Sequence, residues 1–248
     1  MSELRRTCAP YPGRLIAGAS VALALACSSA PPPAPERPKT TVSEREPAAI
    51  DRGAASYETE IGGLNQDDVN EHFAALQPRV EDCVRRASSR VDEVGGRVAV
   101  RMRLDRRGHV RWAYLSDSTL GDRGAERCVL DLVSSRGWPK PLSGEGLAES
   151  SFEVEPAAAP SDLPARQRKA LEKQARIAAR SCLQGVKGRF EATAYVGGSG
   201  KVLAAGVAPP DERGESVSDC VADALVGLKV GRLPASARPT AKVSFRVR

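Results

Sequence analysis

The sequence predicts an α+β protein that carries the same small module twice, each module in the order α-β-β-α-β. Three observations carry this reading. Sliding the chain by 92 positions aligns two stretches without a gap. Gly96-Arg97-Val98 falls on Gly188-Arg189-Phe190, Gly108-His109-Val110 on Gly200-Lys201-Val202, and Cys128-Val129-Leu130-Asp131 on Cys220-Val221-Ala222-Asp223. Each stretch also changes its apolar period in the same order, from helical to alternating and back to helical. One further cysteine, Cys83 or Cys182, ends a helical pattern just before each shared block. A period this long indicates tandem domains rather than a solenoid, whose repeats run about 20–50 residues. Each module is expected to hold a three-stranded antiparallel sheet with two helices on one face.

The first 26 residues read as a leader. Arg5, Arg6 and Arg14 form a basic front, and Leu15 to Ala26 is an apolar run too short to span a bilayer. The run ends at Ala24-Leu25-Ala26-Cys27, which resembles a bacterial lipobox with Cys27 as the lipidated residue. An A-x-A cleavage site in front of an ordinary cysteine is the competing reading. Residues 27–56 hold Pro31-Pro32-Pro33, Pro35, Pro38 and Pro47 among Ser, Thr and charges, without an apolar period. They read as a disordered, proline-rich tether. Removing the three arginines and one glutamate of residues 1–26 takes the formal charge from +6 to +4. That mild excess permits contact with anionic lipid or glycan without demanding it.

Module one spans 57–155. Asn65 or Asp67 can cap a helix whose apolar stripe is Val69, Phe73, Leu76, Val80, Cys83 and Val84. Pro78 interrupts that stripe, so a kink or two short helices are expected there. Val98, Val100, Met102 and Leu104 alternate with Arg97, Arg101 and Arg103, a half-buried strand. Asp105-Arg106-Arg107-Gly108 turns the chain, and Val110, Trp112 and Tyr114 complete a β-hairpin. Ala125, Cys128, Val129, Leu132 and Val133 mark a second helix, ended by Trp138-Pro139, and Phe152 and Val154 a third strand.

Residues 155–161 read as the joint, and module two spans 161–248. Leu171, Ala175, Ala178 and Cys182 stripe its first helix. Phe190, Ala192, Ala194 and Val196 form the inner face of a strand, and Gly197 to Gly200 its turn. Val217, Cys220, Val221, Ala224 and Leu225 mark the second helix; Leu233-Pro234 is matched to Trp138-Pro139; Val243, Phe245 and Val247 form the last strand.

The run Gly-Arg-Val-x-Val-x-Met-x-Leu-Asp-x-x-Gly-x-Val at 96–110, with Trp138-Pro139, resembles the hairpin and helix exit of TonB C-terminal domains. A cysteine at the end of the first helix and another inside the second is similar to the AgmX/PglI C-terminal family, envelope proteins linked to gliding motility. The resemblance covers 61–155 well and 163–248 more loosely, where the turn lacks the Asp and the helix exit lacks the Trp. It implies a periplasmic setting and partner capture by strand addition at a sheet edge. No uncleaved membrane helix accompanies the two modules, unlike a TonB-type energy transducer.

Cys8 leaves with the leader and Cys27 is assigned to lipid, so four cysteines remain and allow three pairings. The repeat favours Cys83–Cys128 and Cys182–Cys220, each joining the two helices of one module; four buried free thiols are the alternative, which export disfavours. No C-x-x-C occurs, which argues against zinc and thioredoxin-like chemistry. His72 and His109 have no clustered partner, so neither is assigned a metal or catalytic role. Gly197 to Gly200 lacks the following Lys-Ser/Thr of a phosphate loop. Arg97, Arg101, Arg103, Arg106, Arg107 and Arg111 make a basic hairpin. It reads either as a solvated face or as a docking surface for an anionic partner, in module one only. The expectation is a non-enzymatic outer-membrane lipoprotein facing the periplasm that binds an envelope protein, with no cofactor, metal, nucleic acid or small-molecule substrate. A soluble periplasmic form is the alternative address. A periplasmic enzyme with a site between the modules, or a structural spacer, is the alternative function.

Overall fold

A computed structural model describes residues 63–248 apart from Ser88 and Arg238. The leader, Cys27 and the tether lie outside the described residues. Those described fall in one compact unit, of mixed α+β class, with five α-helices and two sheets.

The first half opens with α1 (Gln66–Ala74) and α2 (Gln77–Ala87). Asn65 caps α1 by accepting from the Asp67 amide at 3.0 Å. The break expected at Pro78 is a complete one. Pro78 sits in the first turn of α2, where its missing N–H leaves no helical bond unmade. Val69, Phe73, Leu76, Val80, Cys83 and Val84 are all buried, as the stripe predicts. Strands β1 (Gly96–Leu104) and β2 (Val110–Ser118) form the hairpin. Helix α3 (Arg123–Ser134) follows, capped by the Asp122 carboxylate on the Ala125 amide at 2.9 Å. Strand β3 (Gly146–Val154) pairs antiparallel with β1 over all nine residues, and the sheet order is β2-β1-β3.

The second half starts with a two-residue strand, β4 (Ser161–Asp162), then α4 (Ala165–Ala178). The hairpin β5 (Phe190–Gly197) and β6 (Val202–Ala208) precedes α5 (Glu215–Leu225) and β7 (Thr240–Val247). The order is β4-β7-β5-β6, with β4 parallel to β7. This corrects the expected three-stranded sheet: residues 161–162, assigned to the start of a module and its joint, add a short strand. The expected two helices per sheet become three in the first half, because Pro78 divides one. Cys182 also lies beyond α4, in the turns that follow it.

Two glycines 92 positions apart occupy equivalent backbone environments. Gly108 and Gly200 have φ of +81° and +83°, a region that disfavours side chains. A Cβ on Gly108 would lie 2.1 Å from the Trp138 carbonyl oxygen, and one on Gly200 1.8 Å from that of Gly231. The Gly108 carbonyl accepts from the Trp138 amide at 3.0 Å, and the Gly200 carbonyl from the Val230 amide at 2.9 Å. The counterpart of Trp138 is therefore Val230, at the same offset of 92. Leu233, matched to Trp138 on sequence, donates instead to the Gly198 carbonyl at 3.1 Å. Leu233 still fills the second core as Trp138 fills the first, whereas Val230 is only partly buried.

Both expected disulfides are present, Cys83–Cys128 and Cys182–Cys220. Each ties the segment before its hairpin to the helix after it.

Candidate functional site

Two surfaces and one buried seam carry the unusual chemistry, and the strand alternation places all three. On β1, the odd residues Arg97, Arg101 and Arg103 turn away from the core occupied by Val98, Val100, Met102 and Leu104. Trp112 and Tyr114 join them from β2, opposite Arg103 and Arg101. Carboxylates already stand against part of this basic face. Arg103 Nε lies 2.7 Å from Glu145, Arg101 Nε 3.8 Å from Glu149, and Arg111 Nε 4.0 Å from Glu145. Arg97, Arg106 and Arg107 have no ion pair among the described residues. Asp105 organises the turn, accepting from the Arg107 and His109 amides at 2.8 and 2.9 Å. The His109 amide bond is the first cause of its lowered pKa. The structure thus brings five of the six arginines to one hairpin face and turn, with Arg97 at the far end, and half of them against glutamates.

The outer face of the second sheet has the opposite fate. Thr193 and Tyr195 stand where the first half has Arg101 and Arg103, and both are buried against the first half. The Tyr195 hydroxyl donates to the Glu93 carbonyl at 3.0 Å and accepts from the Gly95 amide at 3.3 Å. Lys242 Nζ donates to the Gly95 carbonyl at 2.7 Å and lies 5.4 Å over the Tyr195 ring. Burial raises the Tyr195 phenol to about 12 and lowers the Lys242 ammonium.

At the other end of this seam, α3 meets α5 and β6. Arg123 pairs with Glu215, and its Nε with Asp219 at 2.7 Å. Arg127 Nη1 reaches Asp219 at 3.1 Å. Arg123 with Glu215, and Arg127 with Asp219, are each 92 residues apart: equivalent positions of the repeat, with opposite charges, touching one another. Burial is the largest single influence on Arg123 and opposes its charge, yet Glu215, Asp219 and Glu126 together outweigh it and the pKa is raised. Glu215 is itself raised, first by burial, against the pull of Arg123.

Glu126, inside the seam, is 0% exposed. Its Oε1 accepts from the Ser118 hydroxyl at 2.6 Å and its Oε2 from the Val207 amide at 2.9 Å. A Cβ on Gly206 would lie 2.1 Å from Oε1, so only glycine admits the carboxylate here. Burial pushes Glu126 up to about 7, against the Ser118 and Val207 bonds and the Arg123 charge, with Glu215 adding to the rise.

The sheet edges differ accordingly. The free edge of β6 is closed at Val207 by Glu126. At its start it is closed by the segment after α5, with Val202 donating to Leu228 and Gly227 to Val202. The outer edge of β7 meets β4 only at Ala241 and Lys242. Leu163 donates to the Lys242 carbonyl, so the even residues of β7 turn their backbone groups outward. Arg168 takes the Ser244 carbonyl at 2.8 Å, and on the side away from β5 no strand lies beside Val243–Val247 among the described residues. Along this edge runs a groove of about 620 Å³ whose cationic lining is Arg168, Arg176, Arg189, Arg246 and Arg248, against Glu172 and Glu191. Arg246 pairs with Glu191 at 2.7 Å and Arg168 with Glu172 at 3.6 Å, which leaves three arginines without an ion pair there.

Sequence reasoning missed both the seam and this groove. The seam had a signal: the alternating partners of Phe190 to Val196 are Glu191, Thr193 and Tyr195, less polar than the arginines at matching positions. The groove gathers residues from three separated segments, and no local pattern announces it. His72 donates from Nδ1 to the Asp68 carbonyl at 2.8 Å, and His109 Nδ1 lies 3.4 Å from Asp105. Among the described residues no group of three or more His, Cys, Asp or Glu is placed to hold a metal, and no helix is long and apolar enough to cross a membrane. No family model, curated protein or solved structure matches the chain.

Proposed function

We propose that this chain is an exported, lipid-anchored envelope protein that captures a partner non-enzymatically, with two tandem TonB-C-like modules held as one body. The single observation that carries the binding reading is the outer edge of β7. Beyond Lys242 it has no strand partner, with the Ser244 carbonyl held only by the Arg168 side chain, and it runs along an arginine-lined groove. An exposed edge accepts an incoming strand through main-chain bonds, while side-chain pockets select it. The uncompensated arginines select acidic side chains. The occupant is accordingly an extended, carboxylate-rich segment of an envelope protein. The two disulfides agree with an oxidising compartment. Lipidation at Cys27, attachment to the outer membrane facing the periplasm, and membership of the AgmX/PglI group belong to the same proposal. They rest on the sequence resemblance and on the lipobox-like Ala24 to Cys27.

A catalytic reading would need Glu126, the carboxyl most shifted toward neutral pH. Its complete burial leaves no room for a substrate, so a binding role fits better.

The test is capture from solubilised envelopes, with and without an acidic competitor peptide. Arg176→Glu combined with Arg189→Glu, two of the groove's arginines without an ion pair, should abolish capture while leaving the melting temperature within a few degrees. Undiminished capture would move the site to the basic hairpin or to the β3 edge. A parallel Cys27→Ser variant should leave the membrane fraction; if it stays there and matures at the same bond, the anchor is not at Cys27.

A further inference from the structure

The charges at the seam do not balance. Two guanidinium groups, Arg123 and Arg127, face three carboxylates: Glu126, Glu215 and Asp219. Arg123 is engaged by Glu215 and Asp219, and its Nη1 stays 3.6 Å from Glu126. Arg127 is engaged by Asp219. From the same helix, Asp122 is neutralised by Arg90 at 2.6 Å. Strand β2 offers Glu126 only the Ser118 hydroxyl, and β6 only the Val207 amide. Glu93 and Lys242 lie at the Tyr195 end of the seam. The carboxylate in excess is therefore Glu126, the one without solvent.

We infer that Glu126 is a protonation-controlled lock: neutral, it seals the β6 edge of the second half onto α3 of the first; charged, it loosens that seam. The geometry suits both forms. A neutral carboxyl can donate to Ser118 Oγ through one oxygen while the other keeps the Val207 amide. An ionised one accepts from both, yet its full burial is opposed only by Arg123 at 3.6 Å, a guanidinium that Glu215 and Asp219 already share.

The direction with pH follows from burial raising Glu126 from 4.5 to about 7 in the folded chain. Between these values the folded state keeps a proton that the unfolded state has released. The site's contribution to stability is fully present below 4.5, falls as pH rises through this window, and is lost once pH passes about 7. Tightening on mild acidification is the consequence, in a compartment that follows external pH.

The experiment compares the intact protein with Glu126→Gln, a neutral mimic, in urea unfolding from pH 5.5 to 8. Relative to the variant, the unfolding constant of the natural chain should rise about tenfold or more over that range. Infrared difference spectra should show a protonated carboxyl band with a midpoint near 7, absent from Glu126→Gln. Parallel pH profiles, or a band gone by pH 5, would overturn the lock. Should Glu126→Gln not fold, Ser118→Ala decides: loss of this hydrogen-bond partner should shift the frequency of the protonated carboxyl band, and an unmoved band contradicts its assignment to Glu126.

Discussion

The two sheets share one strand pattern and differ in what happens to the second face. In the first, Arg101 and Arg103 turn outward to water and to Glu149 and Glu145. In the second, Thr193 and Tyr195 at the matching positions are buried against the other half, and Phe190 to Val196 reads as a strand covered on both sides. The difference shows that a repeat fixes the hairpin and its turn glycine, while the outward residues decide whether a face binds solvent, a partner or its own twin. The disulfides differ in the same sense. Cys83 is buried in the first core, whereas Cys220 is exposed on the second.

Exchanging the outward residues is the strongest way to break this comparison. Tyr195→Arg places an unpaired charge in the seam and removes the Glu93 and Gly95 bonds, for an expected loss of about 3–5 kcal/mol by thermal or urea unfolding. Arg103→Tyr on the solvated face should change stability by no more than about 0.5 kcal/mol. Equal effects would mean that the two faces are not differently used.

Opening the disulfides sharpens it next. Loops of 45 and 38 residues each contribute about 3–4 kcal/mol in the chain-entropy account. Under mild reductant, mass spectrometry should find Cys182 and Cys220 alkylated before Cys83 and Cys128, because exchange requires access to sulfur. The reverse order would place the protection in the wrong half.

The smallest effect on stability is expected at the basic hairpin. Arg101→Glu with Arg103→Glu turns two exposed ion pairs into like-charge contacts; it should cost no more than about 1–2 kcal/mol and lower partner capture less than the paired changes in the β7 groove. If the hairpin changes remove capture completely, the anionic partner docks on the first half.

The sequence made the local devices legible. The alternation of Val98 to Leu104, the stripe from Val69 to Val84, the repeat and the cysteine pairing are each set by neighbours in the chain or by the repeat. Four features were not legible, for physical reasons. Strand β4 is two residues long and has no period to detect. The Val230 counterpart of Trp138 is defined by a backbone bond to Gly200, which a side-chain comparison cannot see. Glu126 sits on the helix between Ala125 and Arg127, where a glutamate ordinarily faces water; only the approach of Gly206 and Val207, some 80 positions along, removes that water. The arginine groove depends in the same way on tertiary approach.

The claim that equivalent positions of the two halves recognise each other across one seam is tested most directly by a double-mutant cycle at Arg123 and Glu215. Arg123→Glu alone should cost about 3–5 kcal/mol, since it leaves Glu126, Glu215 and a new carboxylate buried together. Adding Glu215→Arg restores an opposite pair, and the cycle should return a coupling of about 1–3 kcal/mol. Purely additive losses, with no recovery in the double variant, would contradict the account.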